Sequence, residues 1–424
     1  MQDILQTIRD LQHSDKSGAE SLLLSFLNRA TPYEVESVDI RPLAVSLNSF
    51  NGVMTLKNGQ QYFFKTHTET DTVISEYYNA ELLAHAGYPV IQPVFKSAVP
   101  GQQLLVYELI KDDSVFDLAW RIESGDTQQL EALSAAQNAA DDALLDIYLS
   151  TLAWSDSASV AKAPIHQLFY HRLMGGRLTR FYGIDLHKPD HIASTVTIEL
   201  PGATKTISDL LKVKWVINGQ VYSDSLVDIL VRASRLLAPY QYHPTVIGHG
   251  DAHNGNVFFR SSASQPKLVY FDPAFAGRHH PLLDITKPLF HNVFAMWMYF
   301  PEHKNNSSSI SLNIQHDHWI VDYSYDIPSI REMFLESKLE RVLVPTLIKL
   351  KQANMLQPDW KIFLKSALFC CPMLTMNLAD NSRFQPEISL LGFAMAMEMG
   401  APSTEKRSLI DEKLDYVEEL VAQA

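Results

Sequence analysis

The chain has only two cysteines in 424 residues, and they are neighbours, Cys370 and Cys371. A bridge between adjacent residues closes almost no loop, so no disulfide scaffold is expected, and neither thiol has partners at zinc-ligand spacing. They read as buried thiols in a helix of a reducing, cytoplasmic protein. Long apolar runs are missing too. Ser366 to Ala379 and Leu390 to Ala401 are too short to span a bilayer and are interrupted by Pro372 and Glu398, so no membrane partner is expected. The first ten residues, MQDILQTIRD, carry acids and lack the apolar core of a signal peptide. Positive charge is in deficit, with 35 Lys and Arg against 48 Asp and Glu and a net charge of -13. That balance argues against nucleic acid as a partner, because backbone phosphates need a basic surface. No internal repeat is found, and the one low-complexity stretch, Asn305 to Ser309, reads as a loop. What is present, 46% hydrophobic and 20% charged residues, is an ordinary globular composition, long enough for two or three domains or one elaborated two-lobed unit.

The segment His249-Gly250-Asp251-Ala252-His253-Asn254-Gly255-Asn256 is followed by the apolar run Leu268-Val269-Tyr270-Phe271, which ends in Asp272. An aspartate with an asparagine five residues on is by itself an ordinary polar turn. Here Thr245-Val246-Ile247 before it and Val257-Phe258-Phe259 after it read as short buried strands, and a further apolar run delivers a second aspartate. A solvated turn needs no such setting. Phosphoryl transfer does: one carboxylate orients the attacking hydroxyl, while an amide oxygen and another carboxylate hold magnesium against nucleotide phosphates.

The same residues resemble the catalytic core of the aminoglycoside phosphotransferase-like family, small-molecule kinases that include fructosamine kinase, methylthioribose kinase and choline kinase branches. The signature His-Gly-Asp-x-His-x-x-Asn, followed by a hydrophobic strand ending in Asp, is matched at every position. The resemblance implies a bilobal α+β fold of the protein-kinase type, with a small strand-rich N-terminal lobe and a large, mainly helical C-terminal lobe. It implies ATP and Mg2+ as cofactors, Asp251 as catalytic base, Asn256 and Asp272 as metal ligands, and His249 as a loop brace. His253 is open between packing inside the loop and substrate contact. Asp284 matches a family aspartate that braces the catalytic loop. The run Asp272-Pro273-Ala274 departs from the Asp-Phe-Gly of protein kinases and is similar to the Asp-Pro versions of the sugar-kinase branches, which tilts the acceptor toward a hydroxylated, sugar-like molecule.

The nucleotide needs a cation. Gly52 to Leu56, a Lys57-Asn58-Gly59 turn and Gln61 to Lys65 read as a hairpin whose second strand ends in Lys65. A helical segment follows, Thr72 to Ala86, carrying Glu76 and Glu81. In the family a strand lysine contacts the phosphates and a helix glutamate steadies it. Glu76 is the expected partner, with Glu81 the alternative. Ser46 to Gly52 occupies the place of the phosphate-covering loop, where Ser46 or Ser49 hydroxyls and backbone amides would cradle phosphate. Leu104 to Ile110 resembles the strand and hinge that hold adenine through backbone groups around Glu108 to Ile110.

Three regions are expected: a leading helical segment over residues 1 to 30, a nucleotide-binding lobe over 31 to 110, and a catalytic and acceptor-binding lobe over 111 to 424. Asp117 to Trp154 reads as helical, as do residues 330 to 420. Residues 156 to 240 form an insertion with a β-hairpin around Asn218-Gly219 and a basic-aromatic segment carrying Arg172, Arg177 and Arg180. Part of that insertion is expected to wall the acceptor pocket, where arginine would suit a carboxylate or phosphate; surface or bracing roles are the competing reading. The function that follows is transfer of the ATP γ-phosphate to a hydroxyl of a small, sugar-like or aminoglycoside-like compound. A catalytically weak or inactive kinase-like nucleotide-binding or scaffolding protein is the alternative.

Overall fold

In the computed structural model the described residues are 4–12, 14–41, 49–67, 79–97, 99, 101–188, 193–241, 243–261 and 265–424. The fold is α+β, strand-rich toward the N-terminus and mainly helical toward the C-terminus. Contacts divide the chain into two compact units. Unit 1 comprises Met1–Asp113 with Val269–Ala274; unit 2 comprises Ser114–Leu268 with Phe275–Ala424.

Unit 1 is built on a five-stranded sheet in the order β1-β2-β3-β5-β4, every neighbouring pair antiparallel: β1 Val35–Ile40, β2 Ser49–Leu56, β3 Gln61–His67, β4 Phe95–Ser97 and β5 Leu104–Glu108. The β2–β3 hairpin turns at Gly59, whose φ of +83° suits glycine. The second strand runs two residues past Lys65, to His67, so Lys65 lies within the sheet, opposite Asn51 and Leu105. The leading helices Ile4–Leu11 and Lys16–Ala30 do not stand apart. Leu5, Ile8, Leu23 and Leu27 share one core with Ile40, Met54 and Phe64 of the sheet. Each such side chain contributes about 1.5–3 kcal/mol on burial, which ties the N-terminal helices to the lobe that follows. The described part of the next helix spans 79 to 86.

Unit 2 begins with helices Val115–Glu123 and Leu130–Thr151. The expected helical run stops short of Trp154, because β6, Ala153–Ser155, pairs with β11, His243–Gly248, which in turn pairs with β14, Gly277–His279. Between β6 and β11 the insertion holds the hairpin of β7 Thr197–Leu200 with β8 Ala203–Thr206, and the expected hairpin of β9 Lys214–Ile217 with β10 Gln220–Val221. Its turn residues Asn218 and Gly219 both have positive φ, +49° and +79°, the demand that makes Asn-Gly a hairpin signal. After β11 come β12 Val257–Arg260 and β13 Lys267–Tyr270; β15 Ser309–Ile314 and β16 His318–Ser324 then extend the β9–β10 sheet. The Asn305 to Ser309 stretch is not a loop: the helix Pro301–Ser307 takes most of it and Ser309 opens β15. Cys370 and Cys371 are buried free thiols in the helix Trp360–Thr375. No helix of the described residues is long and apolar enough to cross a membrane.

Candidate functional site

In unit 2, β11 delivers the loop from His249 to Asn256, and nearly every polar group around it is spent on fixing its path. Gly250 sits at φ +81°, and a Cβ there would lie 2.4 Å from the Phe275 carbonyl oxygen, so the position admits only glycine. Its N–H donates to Asp284 Oδ1 at 2.5 Å. Asp284, 3% exposed, also receives the Tyr148 hydroxyl on Oδ2 and His279 Nε2 on Oδ1 at 2.9 Å. Burial pushes the Asp284 carboxyl up, but His279, Tyr148 and the Gly250 amide outweigh it and hold the group below its ordinary value. The loop closes on itself as well: His253 N donates to Asp251 O at 2.9 Å, Asn256 N to His253 O at 2.8 Å, and Asn256 Nδ2 to Asp251 O at 2.9 Å. His253 Nδ1 accepts the Gly255 amide at 3.1 Å, capping the short 3-10 turn, while its Nε2 lies 3.9 Å from Asp251 Oδ2. His253 is therefore a loop cap whose Nε2 edge faces Asp251. His249 is fully buried and its Nδ1 meets the Asp251 amide at 3.4 Å, which suits a brace.

That scaffolding leaves two oxygens without work. Asp251 Oδ1 is buried and has no hydrogen-bond partner among the described residues. Asn256 spends its amide nitrogen on the loop, leaving its Oδ1 free of any hydrogen bond among those residues. An aspartate oxygen and an amide oxygen, neither spent on the loop, fit a hydroxyl and a hard, oxygen-seeking cation.

Sequence reasoning missed a set of basic groups whose charges act on Asp251. Burial alone would raise this carboxyl, but His253, Lys287, Arg172 and His249 together hold it below its ordinary value. Lys287 belongs to the helix Pro281–His291, in which every residue is buried, and its Nζ meets His291 Nε2 at 3.1 Å. The other ring nitrogen of His291 meets the Tyr299 hydroxyl at 2.8 Å, and burial followed by the Lys287 charge holds His291 far below its usual value, hence neutral. Its ring centroid lies 5.5 Å from that of His253. A lysine inside the run Pro281 to Phe290 was the available signal, since apolar helices rarely bury an ammonium without a use for it.

The three arginines of the basic-aromatic segment separate. Arg172 is half-buried, and among the charges that act on its guanidinium is Asp251. Arg177 spends Nη1 on the Leu374 and Thr375 carbonyls at 3.0 and 2.6 Å; burial, then Arg172, lowers its pKa to about 10. Arg180 is exposed, lies over the Phe181 ring at 5.1 Å, and is not among the principal charges acting on Asp251.

In unit 1, Lys65 Nζ pairs with Asp272 Oδ1 at 2.9 Å, the lysine side chain 16% exposed and the aspartate 42%. Asp272 adopts φ +53°, a left-handed conformation that costs a non-glycine residue roughly 1–2 kcal/mol and is least costly for Asp and Asn. Its strand is anchored at both flanks: Tyr270 N donates to Pro89 O at 2.8 Å, Ile91 N to Tyr270 O at 2.9 Å, and Asn79 Nδ2 to the Pro273 carbonyl at 3.1 Å. Asp272 Oδ2 makes no hydrogen bond or ion pair among the described residues, leaving one carboxylate oxygen for a cation. Ser46 and Glu76 lie outside the described residues. Ser49 is described by its backbone, at the start of β2. Glu81, half-buried in the helix 79 to 86, forms no ion pair with Lys65. Glu108 ends β5, opposite Tyr62, and Ile110 follows outside the sheet, half-buried.

A cavity of about 280 Å³ elsewhere in unit 2 contains none of these residues; Tyr222, Tyr323 and Glu398 line it. Burial, against the Tyr323 hydroxyl that donates to it, raises the Glu398 carboxyl to about 7. His316 and His318 belong to no cluster able to hold a metal among the described residues, and His318 Nδ1 contacts Asp317 at 2.7 Å.

No protein-family model and no curated protein matches the chain. Solved structures with a similar course include a thermostable mutant of aminoglycoside phosphotransferase APH(4)-Ia in its apo form, at 11% identity over 89% of this chain and 98% of that one, TM-score 0.47. A macrolide 2'-phosphotransferase type I aligns at 11% identity over 90% and 97%, TM-score 0.42. Spectinomycin phosphotransferase APH(9)-Ia, in complex with ADP and spectinomycin, aligns at 12% identity over 94% and 98%, TM-score 0.39.

Proposed function

We propose that this chain is a small-molecule kinase that moves the γ-phosphate of ATP to a hydroxyl of a small, hydroxylated metabolite. The observation that carries this reading is the Asp251 loop: an immobilised aspartate with a buried, unpartnered oxygen, two residues from a histidine cap and five from an asparagine whose amide oxygen makes no hydrogen bond among the described residues. Asp251 accepts a hydrogen bond from the acceptor hydroxyl and fixes the direction of attack. Its pKa, held below the ordinary carboxylate value, makes it a weak base. That suits a loose transition state in which the proton leaves late and positioning supplies most of the rate. Asn256 Oδ1 and Asp272 Oδ2 are the oxygens available to Mg2+, which when bound neutralises charge on the β- and γ-phosphates. Lys65 exchanges its contact with Asp272 for the nucleotide phosphates, steadied by Glu76. The backbone around Glu108 to Ile110 receives adenine, and Ser46 and Ser49 cover the phosphates.

The test is ATP consumption in the presence of magnesium against a panel of sugars, polyols, amino alcohols and aminoglycosides, run beside a thermal shift with Mg-ATP. Acceptor-dependent ADP release that disappears in Asp251→Asn is the expected result. Absence of both nucleotide binding and turnover across the panel would leave the kinase reading without support.

A further inference from the structure

Lys287 and Arg172 are placed in a way the transfer reaction does not require. Both act electrostatically on Asp251, and Asp251 is the one carboxylate among the principal charges acting on either. Neither makes an ion pair among the described residues, so two buried or half-buried cations share a single aspartate, with Arg177 adding a third charge nearby. His291 does not compensate them, because it is neutral; it accepts from Lys287 and turns its other nitrogen to Tyr299. Arg177 is already committed to two main-chain carbonyls. Arg172 makes no side-chain hydrogen bond among the described residues, and Lys287 uses one of its three N–H donors. Burial lowers the pKa of both Lys287 and Arg172, and the Asp251 charge works against that loss in each. Burying an ammonium and a guanidinium with one carboxylate to share is costly, and neutralising Asp251 alone would need only one of them. The excess charge and the unspent donors point the same way, to an anion that the described residues do not supply.

We propose that the acceptor carries an oxyanion, phosphate or carboxylate, received by Lys287 and Arg172 beside Asp251, while Asp251 takes the acceptor's hydroxyl. The acceptor assignment rests on the kinase reading; the anion site itself does not. Arg172 offers the planar fork that matches two oxygens of such a group, and Lys287, fixed by His291, offers a directed point charge. The nucleotide γ-phosphate is the competing source of the same chemistry. Lys65 and the metal already account for its charge in the proposed reaction, so the acceptor is the source to which the cluster is assigned.

The experiment titrates inorganic phosphate into the full-length protein by calorimetry, with chloride matching the ionic strength, first alone and then with saturating Mg-ADP or Mg-AMP-PNP. One saturable site is expected, persisting with both nucleotides, with affinity lowered at least tenfold in Arg172→Met and Lys287→Met and unchanged within twofold in Arg180→Met. No saturable binding in the wild-type protein overturns the proposal irrespective of how the variants fold. So does undiminished affinity in both variants. Binding that survives Mg-ADP but is abolished by Mg-AMP-PNP assigns the cluster to the γ-phosphate and overturns the acceptor assignment. In turnover, matched polyols with and without a phosphate or carboxylate should differ at least tenfold in kcat/KM in favour of the anionic member, and preference for the neutral member counts against it. If phosphate binds as expected but Mg-ATP neither binds nor is consumed, the kinase reading fails and the anion site stands.

Discussion

Removing Asp284 isolates the scaffold of the loop from the chemistry it carries. At 3% exposure its two oxygens receive three donors: the Gly250 amide and His279 on one, the Tyr148 hydroxyl on the other. Asp284→Ala strands all three in a place water reaches poorly. At about 1–3 kcal/mol for each unsatisfied donor, less what relaxation recovers, the loss is about 3–5 kcal/mol, the range seen when one member of a buried charged network is deleted. Asp284→Asn should cost less, about 1–2 kcal/mol. Its remaining oxygen can keep Gly250 and His279, and the Tyr148 hydroxyl can turn to accept from the new amide. The sign with pH follows from the depressed pKa of Asp284. The stabilisation is fully present above the unfolded carboxylate value of about 3.9 and is lost as pH falls through the lower folded value, so the gap between wild type and Asp284→Ala is full at pH 7 and narrows below about pH 4. All six tryptophans, at 120, 154, 215, 297, 319 and 360, lie in unit 2, so urea unfolding followed by tryptophan fluorescence reports the unit concerned. Hydrogen exchange at the Gly250 amide reads the loop directly and should accelerate in the Ala variant. An Asp284→Ala protein within about 0.5 kcal/mol of wild type, with Gly250 still protected, would refute the argument.

Asp251→Asn should abolish acceptor-dependent ADP release while Mg-ATP still shifts the melting temperature by the wild-type amount; turnover within a few-fold of wild type would remove Asp251 from its role. Asp272→Ala should lose the magnesium-dependent part of that thermal shift, and Lys65→Met should weaken nucleotide binding at least tenfold by fluorescence titration. Glu81→Gln should leave nucleotide binding unchanged within twofold, since Glu81 makes no ion pair with Lys65; a marked loss would move the lysine's partner from Glu76 to Glu81. Glu398 has a folded pKa raised to about 7, so its contribution is present below the unfolded value and is lost as pH rises through 7. Glu398→Gln should therefore gain about 2–3 kcal/mol on wild type between pH 5 and pH 8 in the same unfolding assay, and a gap that does not change with pH would contradict the raised value.

The parts of the fold legible in the sequence are those where backbone geometry restricts the residue. Gly250 is forced by a positive φ and the Phe275 carbonyl, and Asn218-Gly219 by two positive φ values, so each left a local mark. Misreadings came where tertiary contacts outweigh local preference. Asn305 to Ser307 has the composition of a loop, yet the chain is helical there: Pro301 starts the helix and Lys304 is drawn inward by an ion pair with Glu123 at 2.6 Å, itself held by Arg331 at 2.8 Å. Trp154 continued an apolar helical stripe, but sheet pairing of Ala153–Ser155 with β11 claimed it. The arginines of the insertion could not be ranked from sequence, because spacing does not tell which guanidinium turns inward and which lies over Phe181.

The place of Lys287 in the fold bears on how the proposed acceptor is selected. It stands three residues after Asp284 on one helix whose every residue is buried, so the two side chains lie on neighbouring positions of one face of a rigid element. Asp284 fixes the loop that presents Asp251, and the charge of Lys287 acts on the same aspartate. The helix that braces the Asp251 loop is thus also the helix that carries the cation, so both groups depend on one packed element. An acceptor with its anion and hydroxyl at the matching separation would satisfy both groups without reorganisation. One with its anion a carbon nearer or farther would leave either Asp251 or Lys287 unsatisfied in a buried site, at about 1–3 kcal/mol, and a homologous series of hydroxy acids should show that as a single sharp maximum in kcat/KM against chain length.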